Sequence, residues 1–260
     1  MECKIVQERT VCTPLSERFT VTIQVFQSLA ELGKSAGAQI VAVIEGKPDP
    51  VIGLATGSSP IPVYQGWAAV AQERGIAMDH VACFALDEYS GLEIQHPESY
   101  HSVIARDATA VIGLNPDLVR VPCGLGDVAA NAVEYDEAIR AASGIDLQIL
   151  GIGRNGHLGF NEPGSPFDSR TREIDLMPET IADNARFFDS ITQVPTKAIT
   201  QGLGTILEAC ELIVVATGEA KAPAVAAALN GPETVDLPGS VLRRHPNVTW
   251  YLDEAAASLL

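Results

Sequence analysis

Positive charge is scarce in this chain: 17 Lys and Arg stand against 33 Asp and Glu, a formal net charge of −16. A field of that sign opposes nucleic acid and anionic membrane surfaces as partners, because both are themselves polyanions. It leaves room for a small anion held by a few local cations and backbone amides. Long apolar runs are missing too. None approaches the roughly 18 residues of a membrane-spanning helix, and the opening MECKIVQERT has no apolar core of a secretory signal. Cysteines are few: Cys3, Cys12, Cys83, Cys123 and Cys210 are widely spaced, with no CxxC and no Cys/His cluster. That spacing argues against zinc and for a reduced, cytoplasmic setting. There is no GxGxxG and no GK[ST], which weakens dinucleotide-binding and P-loop readings. Repeats, low-complexity tracts and Ser/Gly-rich linkers are also absent, so residues 1–260 are expected to form one domain.

What is present is an ordinary globular composition: 260 residues, 47% hydrophobic, with 22 glycines and 16 prolines. A chain this long buries about three quarters of its unfolded surface and needs neither disulfides nor metals to fold. Apolar residues at Phe19, Ile23, Phe26 and Ala30 predict a helix over Leu15–Leu32. The β-branched runs Ile40–Ile44 and Val51–Ala55 predict buried strands, and Pro60–Glu73 a helix with proline in its first turn. Further strands are predicted at Val81–Leu86, Leu118–Val121, Leu147–Ile152, Leu212–Ala216 and Val248–Leu252, with a helix at Val128–Ala142. Strands alternating with helices imply an α/β fold: a single-domain, Rossmann-like, mostly parallel sheet with helices on both faces. In such a sheet ligands bind beyond the carboxyl ends of the strands, and the chemically suggestive residues should follow strands.

They do. Thr56-Gly57-Ser58-Ser59-Pro60 links a strand to a helix, a place where free amides and hydroxyls can hold a phosphate monoester; taken alone it reads equally well as a serine-capped turn. Asp87-Glu88 follows an apolar strand, where a carboxylate could accept a proton or merely cap and decorate the surface. The richest stretch is Gly151-Ile152-Gly153-Arg154-Asn155-Gly156-His157-Leu158-Gly159-Phe160-Asn161-Glu162-Pro163-Gly164. Five glycines in fourteen positions force sharp turns or close approach to a ligand. Within it His157 can move protons and Glu162 can orient it, whereas His80, His96, His101 and His245 have no comparable setting. Two cations stand out: Arg186, followed by aromatics that could hold its stem, and Lys221, at a helix start where a lysine opposes the dipole and hints at a bound anion. Each could also be a solvated surface charge.

GIGRNGHLGFNEPG, with LATGSSP and LDEYSGL upstream, resembles the glucosamine-6-phosphate deaminase family, and the resemblance runs from about Val51 to Leu252. The related 6-phosphogluconolactonases share the fold and a Gly-His turn, but the continuation Phe160-Asn161-Glu162-Pro163 favours the deaminases. The resemblance implies a cofactor-free and metal-free isomerisation coupled to deamination: glucosamine 6-phosphate and water give fructose 6-phosphate and ammonia. It implies that His157 opens the sugar ring, supported by Asn155 and Glu162, and that Asp87 takes the C2 proton. It places the phosphate on Thr56, Gly57, Ser58, Ser59, Arg186 and Lys221, and a mobile lid at about residues 175–197. The implied partner is a small amino-sugar phosphate, with no nucleic acid and no membrane; a homo-oligomer is compatible with it.

Two departures from the family pattern matter. Many members have aspartate at the position of Asn155; an amide cannot ionise, so more of the orienting of His157 falls to Glu162. The allosterically regulated members bind N-acetylglucosamine 6-phosphate with an arginine and a lysine two positions later. Arg172 matches the first, but Ile174 stands in place of the lysine and Pro166 in place of a serine, so that activation is expected to be lacking. Galactosamine 6-phosphate, 6-phosphogluconolactone hydrolysis and a non-catalytic sugar-phosphate sensor are the alternatives. The last has against it that only about fifty residues precede the phosphate turn, with no basic helix-turn-helix.

Overall fold

The computed structural model describes residues 20–260. In chain order the elements are β1 (Thr20–Phe26), α1 (Leu29–Glu45), β2 (Val51–Leu54), α2 (Ile61–Arg74), β3 (Ala82–Ala85) and β4 (Asp87–Tyr89). Then come α3 (Tyr100–Ile104), a π-helical turn Ala105–Thr109, α4 (Ala110–Ile112), β5 (Val119–Arg120), α5 (Val128–Ala141) and β6 (Leu147–Gly151). The remainder is β7 (Arg172–Asp175), α6 (Pro178–Asn184), β8 (Lys197–Thr200), α7 (Leu203–Leu207), β9 (Glu211–Ala216), α8 (Ala222–Asn230) and β10 (Asn247–Asp253).

Seven strands form an all-parallel sheet in the order β1-β10-β9-β6-β2-β3-β5. Its central strands are apolar throughout: β2 and β9 carry Val51, Ile52, Leu54 and Leu212, Ile213, Val214, Val215, all buried. Continuous burial of this kind requires cover on both faces of the sheet. The mostly parallel α/β architecture read from the sequence is therefore the observed one. The order of strands reverses between β2 and β6, whose carboxyl ends lie side by side; such a switch point opens a crevice above the sheet.

Two expected elements are corrected. The stretch read as a helix over Leu15–Leu32 is strand β1 followed by the start of α1, its first five residues lying outside the described residues. Val21, Ile23 and Val25 alternate with period two, and Ser28 caps α1 by accepting the Glu31 amide; that cap, not the apolar spacing, sets where the helix begins. The run Ile40–Ile44 is the end of α1, in which Leu32, Ala36, Ile40 and Ile44 share one buried stripe. A short β-branched run reads alike as a buried strand or a buried helix.

A second, antiparallel sheet, β4-β8-β7, has no counterpart in the sequence reading. β4 continues from β3 after a single residue, so the chain passes from one sheet to the other at Leu86. Beneath it Tyr89, Phe160, Leu176 and Ala198 form a smaller apolar cluster of their own. Cys83 and Cys123 are free thiols, and Cys210 is disulfide-bonded. Among the described residues no helix is long and apolar enough to cross a membrane.

Candidate active site

Four strands of the large sheet end at one cavity of about 860 Å³. After β2 comes the turn Thr56–Ser59, after β3 Asp87, after β6 the Gly-rich loop with His157, and after β9 the segment Thr217–Lys221; residues of all four line it. Two further walls are the stretch between β7 and β8, which contributes Thr180, Asp183, Asn184 and Arg186, and the α3 region, which contributes Glu98, Tyr100, Arg106 and Asp107.

The phosphate-type turn is built without a side-chain cap. Pro60 is the residue that opens α2, and no side chain bonds the first-turn amides. The serines are therefore not the capping residues of an ordinary turn, and the helix start keeps its electropositive character toward the cavity. Behind the turn, the buried Tyr64 hydroxyl donates to the Ala55 carbonyl (2.6 Å) and accepts from the Ala55 amide (3.0 Å), pinning the end of β2. Gly57 adopts a positive φ of 94° that a side chain would resist.

Cations line the same cavity. Lys221 is half-buried, and burial together with the neighbouring Arg154 and Arg186 pulls its ammonium pKa down, with Asp183 opposing. Arg186 lies over the Phe187 ring at 4.6 Å, so the aromatic next to it does hold it, as a cation–π contact. Arg154 makes a bidentate ion pair with Asp183 through Nε (3.0 Å) and Nη2. Three cations converging in a chain of net charge −16 form a local site for an anion.

Asp87 is 4% exposed, and its Oδ1 has no hydrogen-bond partner. Burial, and then the charge of Glu88, push its carboxyl well above the usual carboxylate range. Asp87 lines the cavity, and an acceptor left without a partner keeps a lone pair free for a proton. Gly159 (φ 56°) passes directly over it: a Cβ there would sit 3.2 Å from Asp87 Oδ2 and 3.0 Å from Thr200 Oγ1. The glycine thus lets the loop carrying His157 close onto the strand carrying Asp87.

The loop itself is tied internally, with the Gly153 amide donating to His157 O (2.9 Å) and Gly156 N to Gly153 O (3.0 Å). His157 faces the cavity, while Asn155 and Glu162 do not line it and stand behind the ring. Glu162 Oε2 lies 3.6 Å from His157 Nδ1, an ion-pair distance rather than a hydrogen bond. Asn155 makes no hydrogen bond to the ring of His157; its Oδ1 accepts the His157 backbone amide (3.2 Å) and its Nδ2 donates to Glu162 Oε2 (3.0 Å). Thr180 donates to the other oxygen, Glu162 Oε1. Burial raises the Glu162 pKa, but His157, Thr180 and Asn155 outweigh it, and the carboxyl lies below its ordinary value. Asn155 therefore serves the carboxylate, which a second carboxylate at that position could do only if protonated.

Asp87, His157, the Thr56–Ser59 turn, Arg186 and Lys221 thus line one crevice, with Asn155 and Glu162 behind His157. A profile of the family described as glucosamine-6-phosphate isomerases/6-phosphogluconolactonase matches residues 24–250. The chain belongs to that family. Within the glucosamine-6-phosphate isomerase/6-phosphogluconolactonase family it is 49% identical over 231 residues to a glucosamine-6-phosphate deaminase of Arthrobacter sp. (strain FB24), covering 88% of this chain and 89% of that one. It is 47% identical over 248 residues to a glucosamine-6-phosphate deaminase of Bifidobacterium longum subsp. infantis, covering 92% of each. A solved monomeric glucosamine-6-phosphate deaminase superposes with a TM-score of 0.89 at 38% identity, covering 92% of this chain and 100% of that one. A 6-phosphogluconolactonase from Thermotoga maritima superposes with a TM-score of 0.72 at 18% identity, covering 90% of this chain and 100% of that one; this likeness shows the family fold alone.

Sequence reasoning gave no place in the site to Arg154, Thr180, Asp183, Tyr100, Glu98, Arg106 or Asp107. Arg154 stood inside the Gly-rich motif without an assigned role, and its pairing with Asp183 is visible only in the structure. Thr180 had no sequence signal at all. Among the described residues no group of three or more His, Cys, Asp and Glu side chains is placed to hold a metal.

Proposed function

We propose that this chain is a glucosamine-6-phosphate deaminase, converting glucosamine 6-phosphate and water to fructose 6-phosphate and ammonia. The observation that carries this is what one cavity brings together: a cation cluster, an uncapped helix start, a buried carboxylate with an unpartnered oxygen and a carboxylate-backed histidine. Curated relatives at 47–50% identity bear that activity in their names, whereas the lactonases are like this chain in fold only.

The assigned steps follow from the residue types. Arg186, Lys221 and the Thr56–Ser59 amides and hydroxyls hold the phosphate, so the binding of a remote dianion orients the reacting carbons. His157 moves the hemiacetal proton from O1 to O5 and opens the ring, with Glu162 stabilising its cationic form. Asp87 then removes the C2 proton. The C2–H electrons become the C1–C2 double bond of an enolamine while O1 is protonated, and delivery of the proton to C1 leaves an imine at C2. Water adds to C2, ammonia departs, and the ketose remains. The raised basicity of Asp87 supports its part as the C2 base, since an ordinary carboxylate is a weak one.

The segment Asp175–Lys197 is proposed to act as a lid over this sequence of steps, and the whole chain as one domain. It carries Thr180 against Glu162 and Arg186 into the cavity, so its displacement would open the anion site and loosen the histidine's partner together. A phosphorylated amino sugar is retained inside the cell by its charge, which supports a cytoplasmic location.

The test is ammonia release by the purified chain from glucosamine 6-phosphate without added cofactor, with galactosamine 6-phosphate and 6-phosphogluconolactone assayed alongside. Preferred turnover of glucosamine 6-phosphate is expected. Tight binding of the sugar phosphate without ammonia, or faster lactone hydrolysis, would overturn the assignment.

A further inference from the structure

Glu88 is as deeply buried as the base beside it, being 2% exposed, and it takes no part in the steps above. Strand alternation sends Asp87 and Glu88 to opposite faces of the small sheet: Asp87 lines the cavity and Glu88 does not. On its own side Glu88 is received by the first turn of α3. Oε1 accepts the amides of Tyr89 (2.7 Å) and Tyr100 (2.9 Å); Oε2 accepts the amide of His101 (3.1 Å) and its ring Nδ1 at 2.8 Å. Four donors on one buried carboxyl describe an anion, and a carboxylate fixes Nδ1 as the protonated ring nitrogen. The His101 ring also borders a second cavity of about 310 Å³, opposite α5, and is 28% exposed.

We propose that Glu88 is a positioning residue: held by α3 and by His101, it keeps a second negative charge beside Asp87 and so strengthens Asp87 as the base. This rests on the deaminase reading for the identity of the step, though not for the electrostatics. The remaining titratable groups that act on Asp87 are tyrosines, namely Tyr89 on its own strand, Tyr100 from α3 and Tyr135 from α5. Around neutral pH these are uncharged. The loop of Gly159 and strand β8, with Thr200, present no charge to Asp87, and His157 shares its cavity. Glu88, adjacent in the chain, is the negative charge that adds to burial in holding the Asp87 carboxyl up. His101 moderates it: the ring N–H withdraws part of the carboxylate's charge from Asp87.

Two variants with opposite expected signs test this. In E88Q the charge is removed at nearly constant volume, so the acid limb of the kcat profile should move to lower pH by about half a unit or more. Turnover near neutrality should fall by about threefold or more with KM little changed. In H101Q the three backbone donors remain but the ring is lost, and the limb should move the other way. Carbon NMR of the Asp87 carboxyl, assigned with D87N, reports the same titration without turnover, so an inactive wild-type chain would sink the deaminase reading while leaving this test intact. Should E88Q fail to fold, the upward shift in H101Q alone decides. Asp87 titrating unchanged in the folded variants, or moving in one direction in both, would overturn the proposal.

Discussion

Asp87 and Glu162 are buried carboxyls driven in opposite directions by their surroundings. Asp87 has an unpartnered oxygen and a like charge next to it, so burial prevails and its proton is held tightly. Glu162 is also buried, but His157, Thr180 and Asn155 stabilise its anion and win. The linkage to stability follows. Asp87, with a raised folded pKa, favours folding below its unfolded value near 4 and loses that contribution as pH rises through the folded value. At neutral pH its ionised form therefore opposes the fold. D87N is expected to raise Tm by about 2 °C or more at pH 7 while lowering ammonia release by about 10²-fold or more, and the Tm gain should vanish below about pH 4. Glu162, with a lowered pKa, stabilises above its unfolded value and loses this as pH falls through the folded one. E162Q should consequently lower Tm at pH 7 and converge on the wild type in acid. Thermal scans at two pH values check both, and two substitutions moving Tm in the same direction at pH 7 would mean that the environments have been misassigned.

At the scale of elements, the site depends on backbones that approach closely. Helices α1 and α2 cross with Gly33 on one against Gly66 on the other: a Cβ on Gly66 would fall 2.0 Å from Gly33 O, and one on Gly33 2.0 Å from Pro62 O. Pro62 lies in the first turn of α2, the turn that follows Thr56–Ser59, so this crossing sets the height of the Thr56–Ser59 turn above the sheet. Inserting a methyl group forces the helices apart at a cost of about 1–3 kcal/mol. G66A is expected to lower Tm by about 3–10 °C and to raise KM for the sugar phosphate more than it lowers kcat. A calorimetric scan and initial-rate kinetics measure the two, and an unchanged Tm would show that the crossing relaxes freely. The antiparallel sheet makes the corresponding contribution on the other side, since β4 presents Asp87 to the cavity only because β8 pairs with it at Thr200.

For the molecule as a whole, an acidic surface surrounds a small cationic interior site, and the chain's own groups already occupy the residues that could have served elsewhere. Arg172 donates to Asn161 Oδ1 (2.9 Å) and Ser165 Oγ (3.1 Å), bracing the Gly-rich loop from behind. With Ile174 rather than a lysine two residues on, no second cation joins it. Velocity against glucosamine 6-phosphate is therefore expected to be hyperbolic and unaltered by N-acetylglucosamine 6-phosphate; a sigmoidal curve that this compound renders hyperbolic would refute it. Much of the architecture was legible beforehand, because parallel strands buried on both faces are written as uninterrupted apolar runs, and β2, β3, β6, β9 and β10 were placed within about two residues. The ends of those strands were legible for the same reason, and with them Asp87, His157 and the Thr56–Ser59 turn. The antiparallel sheet was not: β4, β7 and β8 are short, carry charged residues such as Glu88 and Arg172, and exist through pairing with one another, β4 with β8 across more than a hundred residues of chain. Nor could Arg154, Thr180 and Asp183 be ranked above other surface polar residues. Local sequence determined which segments are strands and which loops are rich in chemistry. Tertiary structure alone decided which carboxyl is left without a partner and which is surrounded by donors, because burial and hydrogen bonding are relations between distant segments.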